Sequence, residues 1–260
     1  MRHRRIISAV LIGCFSASGW SASGLEAAQP ATPPASPPPR QVPYQPAEKI
    51  RDGQVDSRFL AAHALFLRRI KSGPIGLLFV GDSITAGWTR NRELFTRTFG
   101  AFQPANFGIS GDRTQHVLWR FENGELDISP SPKAVVLMIG TNNVRTDTAA
   151  DIAKGAEAVV NRLRTKHPTA KVLLLGVLPM GVDPKDPTVA AQRRNVIEIN
   201  ERLKAAADGS SVVFLDFGDK LLNSDGTTSA AMRPDGVHLE ARGYEIWAEA
   251  IGPVLAAMTK

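Results

Sequence analysis

Five short apolar runs, each separated from the next by a longer stretch of helical spacing, constrain this chain more than any other feature. The runs cover residues 76–80, 105–107, 134–139, 171–177 and 212–215, and most are rich in Val, Ile, Leu and Phe. A strand without polar alternation belongs to a sheet buried on both faces. Strands that alternate with helices build parallel βαβ units. The helical stretches between them are 85–98, 113–121, 148–166 and 189–207, with a first helix at 56–71 and a last at 240–258. Asp56 and Ser57 are cap candidates for the first, which stops at Gly73-Pro74. The second strand is the shortest, with Pro104 directly before it. The expected fold class is therefore α/β, a three-layer α/β/α sandwich around a five-stranded parallel sheet.

Residues 1–28 read as an export signal. Arg2, His3, Arg4 and Arg5 precede an apolar run that begins at Ile6 and ends at Phe15, and small residues follow through Ser23. Such a run is too short to cross a bilayer, which needs about 20 apolar residues. Cleavage after Ser23 or near Ala28 would release a periplasmic or secreted protein. Leu11-Ile12-Gly13-Cys14 also resembles a bacterial lipoprotein box, which would acylate Cys14 and anchor the chain to a membrane. Ordinary cleavage is favoured because the apolar run continues past Cys14. From 29 to 46, eight of eighteen residues are proline, which has no backbone donor to give a helix or ladder. This stretch is expected to be a solvated spacer or a plain disordered tail, with a single folded domain at 47–260.

Charge and composition then remove whole classes of function. The net charge of +6 divides into four Lys/Arg against one acid for residues 1–46, and 27 against 24 for residues 47–260. No polybasic run remains, so no nucleic-acid partner is expected. Cys14 is the only cysteine, which excludes a disulfide framework, a cysteine-ligated zinc and a cysteine nucleophile in the folded domain. Neither a Gly-x-x-x-x-Gly-Lys-Ser/Thr loop nor a Gly-x-Gly-x-x-Gly turn after a strand is present. The five histidines (3, 63, 116, 167 and 238) show no short ligand spacing. No metal and no cofactor are expected.

In parallel sheets, ligands bind beyond the carboxyl ends of the strands. There the chain reads Gly81-Asp82-Ser83-Ile84, then Gly108-Ile109-Ser110-Gly111-Asp112, then Gly140-Thr141-Asn142-Asn143. After the fifth strand and a Gly/Ser-rich loop it reads Pro234-Asp235-Gly236-Val237-His238. A nucleophilic serine needs a base, a group that orients the base, and donors for the oxyanion. His63 lies within the first helix, His116 is suited to packing or capping, and His167 before Pro168 is expected to be exposed. His238 alone follows a turn that can bring an acid, Asp235, to its own side. Each residue also has a bland reading. Ser83 can cap a helix, Asn142 can form an Asx turn, and Gly111 can simply supply a positive φ. The order serine, glycine, asparagine, Asp/His on successive strand ends is much harder to attribute to chance.

That order resembles the SGNH (GDSL) hydrolases, over about residues 75–258. Within them the chain is most similar to the catalytic subunits of intracellular platelet-activating factor acetylhydrolase, closely so from Asn106 to Leu126, including Gln115-His116-Val117-Leu118-Trp119-Arg120 and Asn123-Gly124-Glu125-Leu126. The resemblance implies the flavodoxin-like SGNH hydrolase fold, with Ser83 as nucleophile, His238 as base and Asp235 as its orienter. It implies an oxyanion hole of the Ser83 and Gly111 N–H groups and the Asn142 amide. It also implies a shallow acyl pocket walled by Ile84, Thr141 and Val237.

The function implied is an exported serine esterase that cleaves short-chain oxygen esters, acetyl foremost, through an acyl-enzyme. A small-molecule or carbohydrate ester is the expected substrate. The leader departs from the intracellular acetylhydrolases, so their phospholipid substrate is not carried over. Two alternatives stand beside this reading: an acyltransferase with the same triad, and a noncatalytic binding module that keeps the fold.

Overall fold

The computed structural model describes residues 40–260. The expected signal at 1–28, the Cys14 lipoprotein site and the first part of the proline stretch lie outside the described residues. The last part of that stretch departs from the spacer expectation, because residues 40–46 pack on the body. Pro43 is buried, and its carbonyl accepts the Thr114 hydroxyl at 2.7 Å. Arg40 pairs with Asp147 at 3.0 Å, and the Lys154 ammonium lies 3.7 Å from the centre of the Tyr44 ring. Proline lacks a donor, but its carbonyl still accepts, and that is how this segment is held.

A small hairpin follows, β1 Ile50–Arg51 and β2 Gln54–Val55. Asp56 then caps α1, Ser57–Lys71, by accepting the Arg58 N–H at 2.9 Å. The main sheet contains β3 Leu77–Gly81, β4 Pro104–Gly108, β5 Ala134–Met138, β6 Lys171–Leu175 and β7 Val212–Leu215. Its order is β4-β3-β5-β6-β7 and every pair is parallel. Pro104 is tolerated because β4 is an edge strand and Pro104 is its first residue. The expected five-stranded α/β class is thus the observed one.

Helices connect the strands, α2 Ser83–Ala86, α3 Arg92–Phe99, α4 Thr114–Arg120, α5 Ala149–Lys166 and α6 Pro187–Ala206, and α7 Ala241–Met258 follows the last strand. Successive strand residues point to opposite faces, and two apolar cores follow from that alternation. Leu78, Val80, Val135 and Leu137 pack against Val117 of α4, Ile152 and Val159 of α5, and Ile199 of α6. Leu77, Phe79, Val136 and Met138 pack against Ile84 of α2, Phe99 of α3, and Trp247 and Ile251 of α7. The three layers are fixed by this division.

One helix differs from expectation. The stretch read as continuous over 85–98 is α2, a 3-10 turn at Gly87–Arg90, and α3. Asn91 leaves helical geometry at φ −119°, ψ 43°, and the break lets Trp88 turn into the second core, 1% exposed.

Candidate active site

β3 ends at Gly81 and the chain turns at once into α2, which places Ser83 at the first helical position. Asp82 caps this helix, its Oδ1 accepting the Ile84 N–H at 2.9 Å. Burial pushes its carboxyl up to about 6, against the opposing pull of that N–H and of His238. Other elements grip the same turn. Tyr244 of α7 donates its hydroxyl to the Ile84 carbonyl at 2.8 Å. Asn106 of β4 donates Nδ2 to the Thr85 carbonyl and accepts the Gly108 N–H, both at 2.9 Å. Position 108 admits only glycine without rearrangement, since a Cβ there would lie 2.3 Å from the Ala86 nitrogen.

The histidine arrives from the loop before α7. Asp235 Oδ1 accepts the N–H groups of Val237 and His238, each at 2.9 Å, which folds the segment back on itself. Its Oδ2 then accepts the His238 Nδ1–H at 2.8 Å, and His238 Nε2 lies 2.8 Å from Ser83 Oγ. Desolvation acts upward on Asp235, but these hydrogen bonds and the imidazole hold its carboxyl down to about 2. Outside the segment, the Gly236 carbonyl accepts the Gly181 N–H at 2.8 Å. Arg193 of α6 steadies that neighbouring loop, donating to the Met180 and Gly181 carbonyls at 2.9 and 2.8 Å.

The structure thus brings Ser83, His238 and Asp235 into one hydrogen-bonded relay. Gly111 sits beside it with φ +76°, the positive φ expected of it. Asn142 stands in the 3-10 turn Thr141–Asn143 after β5. Its Nδ2 donates to the Asp112 carbonyl at 2.9 Å and approaches Asp82 Oδ2 at 3.3 Å. The first contact pins the amide, and the second is long enough to yield to a better acceptor.

Two cavities open on the relay. One, of about 490 Å³, has Gly111, Asn142, Thr141, Met180, Val237 and His238 in its wall. The other, of about 300 Å³, is bounded by Ser83, Thr89, Arg90, Ser110, Arg233 and His238, among others. Thr141 and Val237 therefore share a cavity with two of the candidate oxyanion donors, Gly111 and Asn142. Ile84 lines neither. It is fully buried in the core beneath α2, because the capped turn directs its side chain under the nucleophile.

Behind Gly111 runs a buried chain of charge that the sequence reading missed. Lys49, just after the proline stretch, donates to the Ser110 carbonyl and lies 3.5 Å from Asp112 Oδ1. Asp112 Oδ2 is 3.0 Å from Arg120 Nε, and Arg120 Nη1 donates to Glu125 Oε2 at 2.7 Å and to the Phe107 carbonyl at 3.0 Å. Glu125 Oε1 closes the chain on His63 Nδ1 at 2.7 Å. Asp112, Arg120 and Glu125 have no exposed surface. Burial pushes the Asp112 carboxyl up to about 7 against the pull of Arg120 and Lys49. Burial likewise lowers the Lys49 ammonium, against the opposing effect of Asp112. Asp112, Arg120 and Glu125 stood within recognisable motif blocks, whereas nothing marked Lys49.

The remaining histidines have structural partners. His116 Nδ1 accepts the Arg113 N–H at 3.1 Å and Nε2 donates to Gln41 at 3.3 Å, so the ring caps α4. Burial and the neighbouring cations hold it down to about 3 and therefore neutral. His167 is not exposed, contrary to expectation. It is 3% exposed, with its ring nitrogens 2.8 Å from Ser131 Oγ and 3.0 Å from the Leu126 carbonyl.

A doubly covered parallel sheet with a Ser–His–Asp relay beyond its strand ends defines an α/β/α protein of the serine-hydrolase class. Residues 79–246 match the GDSL-like Lipase/Acylhydrolase family, and the chain belongs to it. It is 37% identical over 194 residues to the platelet-activating factor acetylhydrolase IB subunit alpha2 of Rattus norvegicus, covering 74% of this chain and 81% of the relative. It is 38% identical over 203 residues to the alpha1 subunit of Bos taurus, covering 76% and 84%. The crystal structure of a GDSL-like lipase from Bacteroides thetaiotaomicron superposes with a TM-score of 0.62 at 22% identity, over 75% of this chain and 97% of that one. The chain is a carboxylic ester hydrolase of the GDSL family.

Proposed function

We propose that this chain is an exported serine esterase that removes a short acyl group, acetyl foremost, from an oxygen ester of the carbohydrate class. The observation that carries the chemistry is the relay of two 2.8 Å contacts from Asp235 through His238 to Ser83 Oγ. Ser83 Oγ attacks the ester carbonyl while His238 Nε2 takes its proton, and Asp235 fixes the tautomer with Nδ1 protonated. The Ser83 and Gly111 N–H groups and Asn142 Nδ2 stabilise the oxyanion, Asn142 giving up its long contact to Asp82. His238 returns the proton to the leaving alcohol. It then activates a water that hydrolyses the acyl-enzyme.

Support for acetyl comes from the names of the acetylhydrolase relatives and from stiff, β-branched walls at Thr141 and Val237. Support for export comes from the leader. Kinetics on p-nitrophenyl esters test the acyl limit, with kcat/KM expected to fall roughly 5- to 150-fold from acetyl to octanoyl. Val237→Ala should relieve that fall for the longer esters, and a preference for octanoyl over acetyl overturns the short-acyl reading. Mass spectrometry of the purified protein should find an N-terminus between Gly24 and Gln29. Diacylglycerol on Cys14 would replace ordinary cleavage with lipoprotein anchoring.

A further inference from the structure

We propose that the lobe holding Arg90 and Arg233 is an anion subsite, and that the alcohol half of the ester carries a carboxylate or phosphate close to its acyl oxygen. This deepens the esterase reading and rests on it. The two cavities meet at His238, and their walls differ. The larger has two of the oxyanion donors, Gly111 and Asn142, together with Val237 and Met180, and although Arg113 and Arg145 also border it, it offers the acyl group the more apolar wall. The smaller is mostly polar. Thr89, Ser110 and the two arginines face it, and Ala86 and Gly87 are its apolar residues. The alcohol half is left with the polar lobe.

Arg90 ends the 3-10 turn that follows the nucleophile helix, whereas Arg233 stands two residues before Asp235. The two guanidinium groups therefore reach one lobe from opposite ends of the catalytic relay. Among the described residues neither guanidinium has a carboxylate within hydrogen-bond distance. Arg90 has no ion-pair partner among the described residues. Its neighbour is the Tyr244 hydroxyl, which burial pushes up to about 12 and so keeps neutral. The nearest acid to Arg233 is Glu240 at 3.8 Å, with both side chains about half exposed. The one carboxylate in the lobe, Asp235, is already engaged by His238 and two N–H groups.

Arg113 and Arg145 line the other cavity, again with Asp235 as the only acid. Four arginines against one aspartate give the site a surplus of three positive charges. Residues 47–260 as a whole, with 27 Lys/Arg against 24 acids, have a surplus of the same size. The rest of the body is balanced, and the excess sits around Ser83. A guanidinium fork matches the paired oxygens of a carboxylate or phosphate, and a like-charged cleft raises the local concentration of an anionic substrate.

The test is a matched pair: an O-acetylated methyl glucuronoside and the same compound with its carboxyl methylated. The anionic ester should be preferred by roughly 10-fold or more in kcat/KM, mostly through KM and decreasingly as salt is raised. Arg90→Gln and Arg233→Gln should each collapse that ratio toward one. Arg90→Lys should keep only part of it, and Arg202→Gln, an exposed α6 residue that pairs with Glu198 and lines neither cavity, should leave it intact. Competition against p-nitrophenyl acetate hydrolysis identifies the source of the anion. Inhibition by methyl glucuronoside assigns a carboxylate, inhibition by glycerol 1-phosphate assigns a phosphate, and inhibition by neither overturns the subsite. Equal rates on the matched pair together with no inhibition by glycerol 1-phosphate also overturn it, provided p-nitrophenyl acetate is turned over and a fluorophosphonate labels Ser83. Loss of both of those signals in the wild-type protein would instead bring down the esterase reading itself.

Discussion

The two ends of the Ser83–His238 hydrogen bond are built by opposite means. The Ser83 turn is clamped from outside by Tyr244, Asn106 and the close approach of Gly108, over a cap residue that is 1% exposed. The histidine end is held largely by its own backbone, through the Asp235 turn, with the His238 and Asp235 side chains 30% and 45% exposed. Packing fixes the atom that must attack at one defined position. Local hydrogen bonds suffice for the base, which has only to turn between serine, leaving group and water. Loss of a clamping contact at the first end should therefore appear in folding, and damage to the second in turnover.

The largest effect that tests this contrast comes from the relay itself. Ser83→Ala and His238→Ala should each lower kcat by about 10⁶-fold, with the double variant hardly worse, and Asp235→Ala should leave a detectable remnant. The melting temperature should hold in all of them. A histidine variant that melts much earlier would erase the distinction, and His116→Ala matching His238→Ala in inactivity with folding intact would move the base elsewhere. Next in size is Arg120→Met, which strands Asp112 and Glu125 behind the oxyanion loop. Breaking a buried pair in this way costs about 3–5 kcal/mol, readable in denaturant unfolding. A loss below about 1 kcal/mol would show that the buried chain does not support this end of the site. Asn142→Ala should reduce kcat by about 10²–10³-fold with KM little changed, because its amide serves a charge present only in the transition state. A large KM effect at normal kcat would make it a ground-state contact instead.

The smallest effect is a difference in sign. Asp112 and Asp82 stand above their ordinary 3.8, at about 7 and about 6, so the folded chain keeps protons that the unfolded chain has released. Their contribution to stability is full below pH 4 and is lost as pH rises through those values. Asp235 is displaced downward to about 2, so its contribution is present above pH 4 and is lost as pH falls toward 2. Solvent screening keeps the Asp235 contribution small. Melting curves against pH should flatten between 4 and 7 in Asp112→Asn, and below 4 in Asp235→Asn. Exchanged slopes would refute the assignment.

The sheet and most helices were legible because continuous apolar runs have few other uses, and Asp56, a cap candidate in the sequence, caps the helix that it precedes. Ser83, Asn142, Asp235 and His238 were legible as a set because strand ends gather on one edge. What escaped depended on contacts remote in sequence or on partners that side-chain type does not announce. Lys49 meets Ser110 and Asp112 across more than 60 residues. His167 is inside because Ser131 and Leu126 happen to satisfy both ring nitrogens. Ile84 looked like pocket wall by adjacency to Ser83, yet a capped helical turn sends neighbouring side chains in different directions.

Residues 40–46 have a practical consequence for where this enzyme can be trimmed. A protease or a deletion that removed the chain through Pro46 would take the acceptor of the Thr114 hydroxyl, the partner of His116 Nε2 and the ring beneath Lys154. All three losses fall on α4 and α5, and α4 directly follows the oxyanion loop, while both apolar cores stay whole. The shortened protein should keep its fold with a lower kcat, so trimming is expected to be better tolerated up to Arg40 than through Pro46.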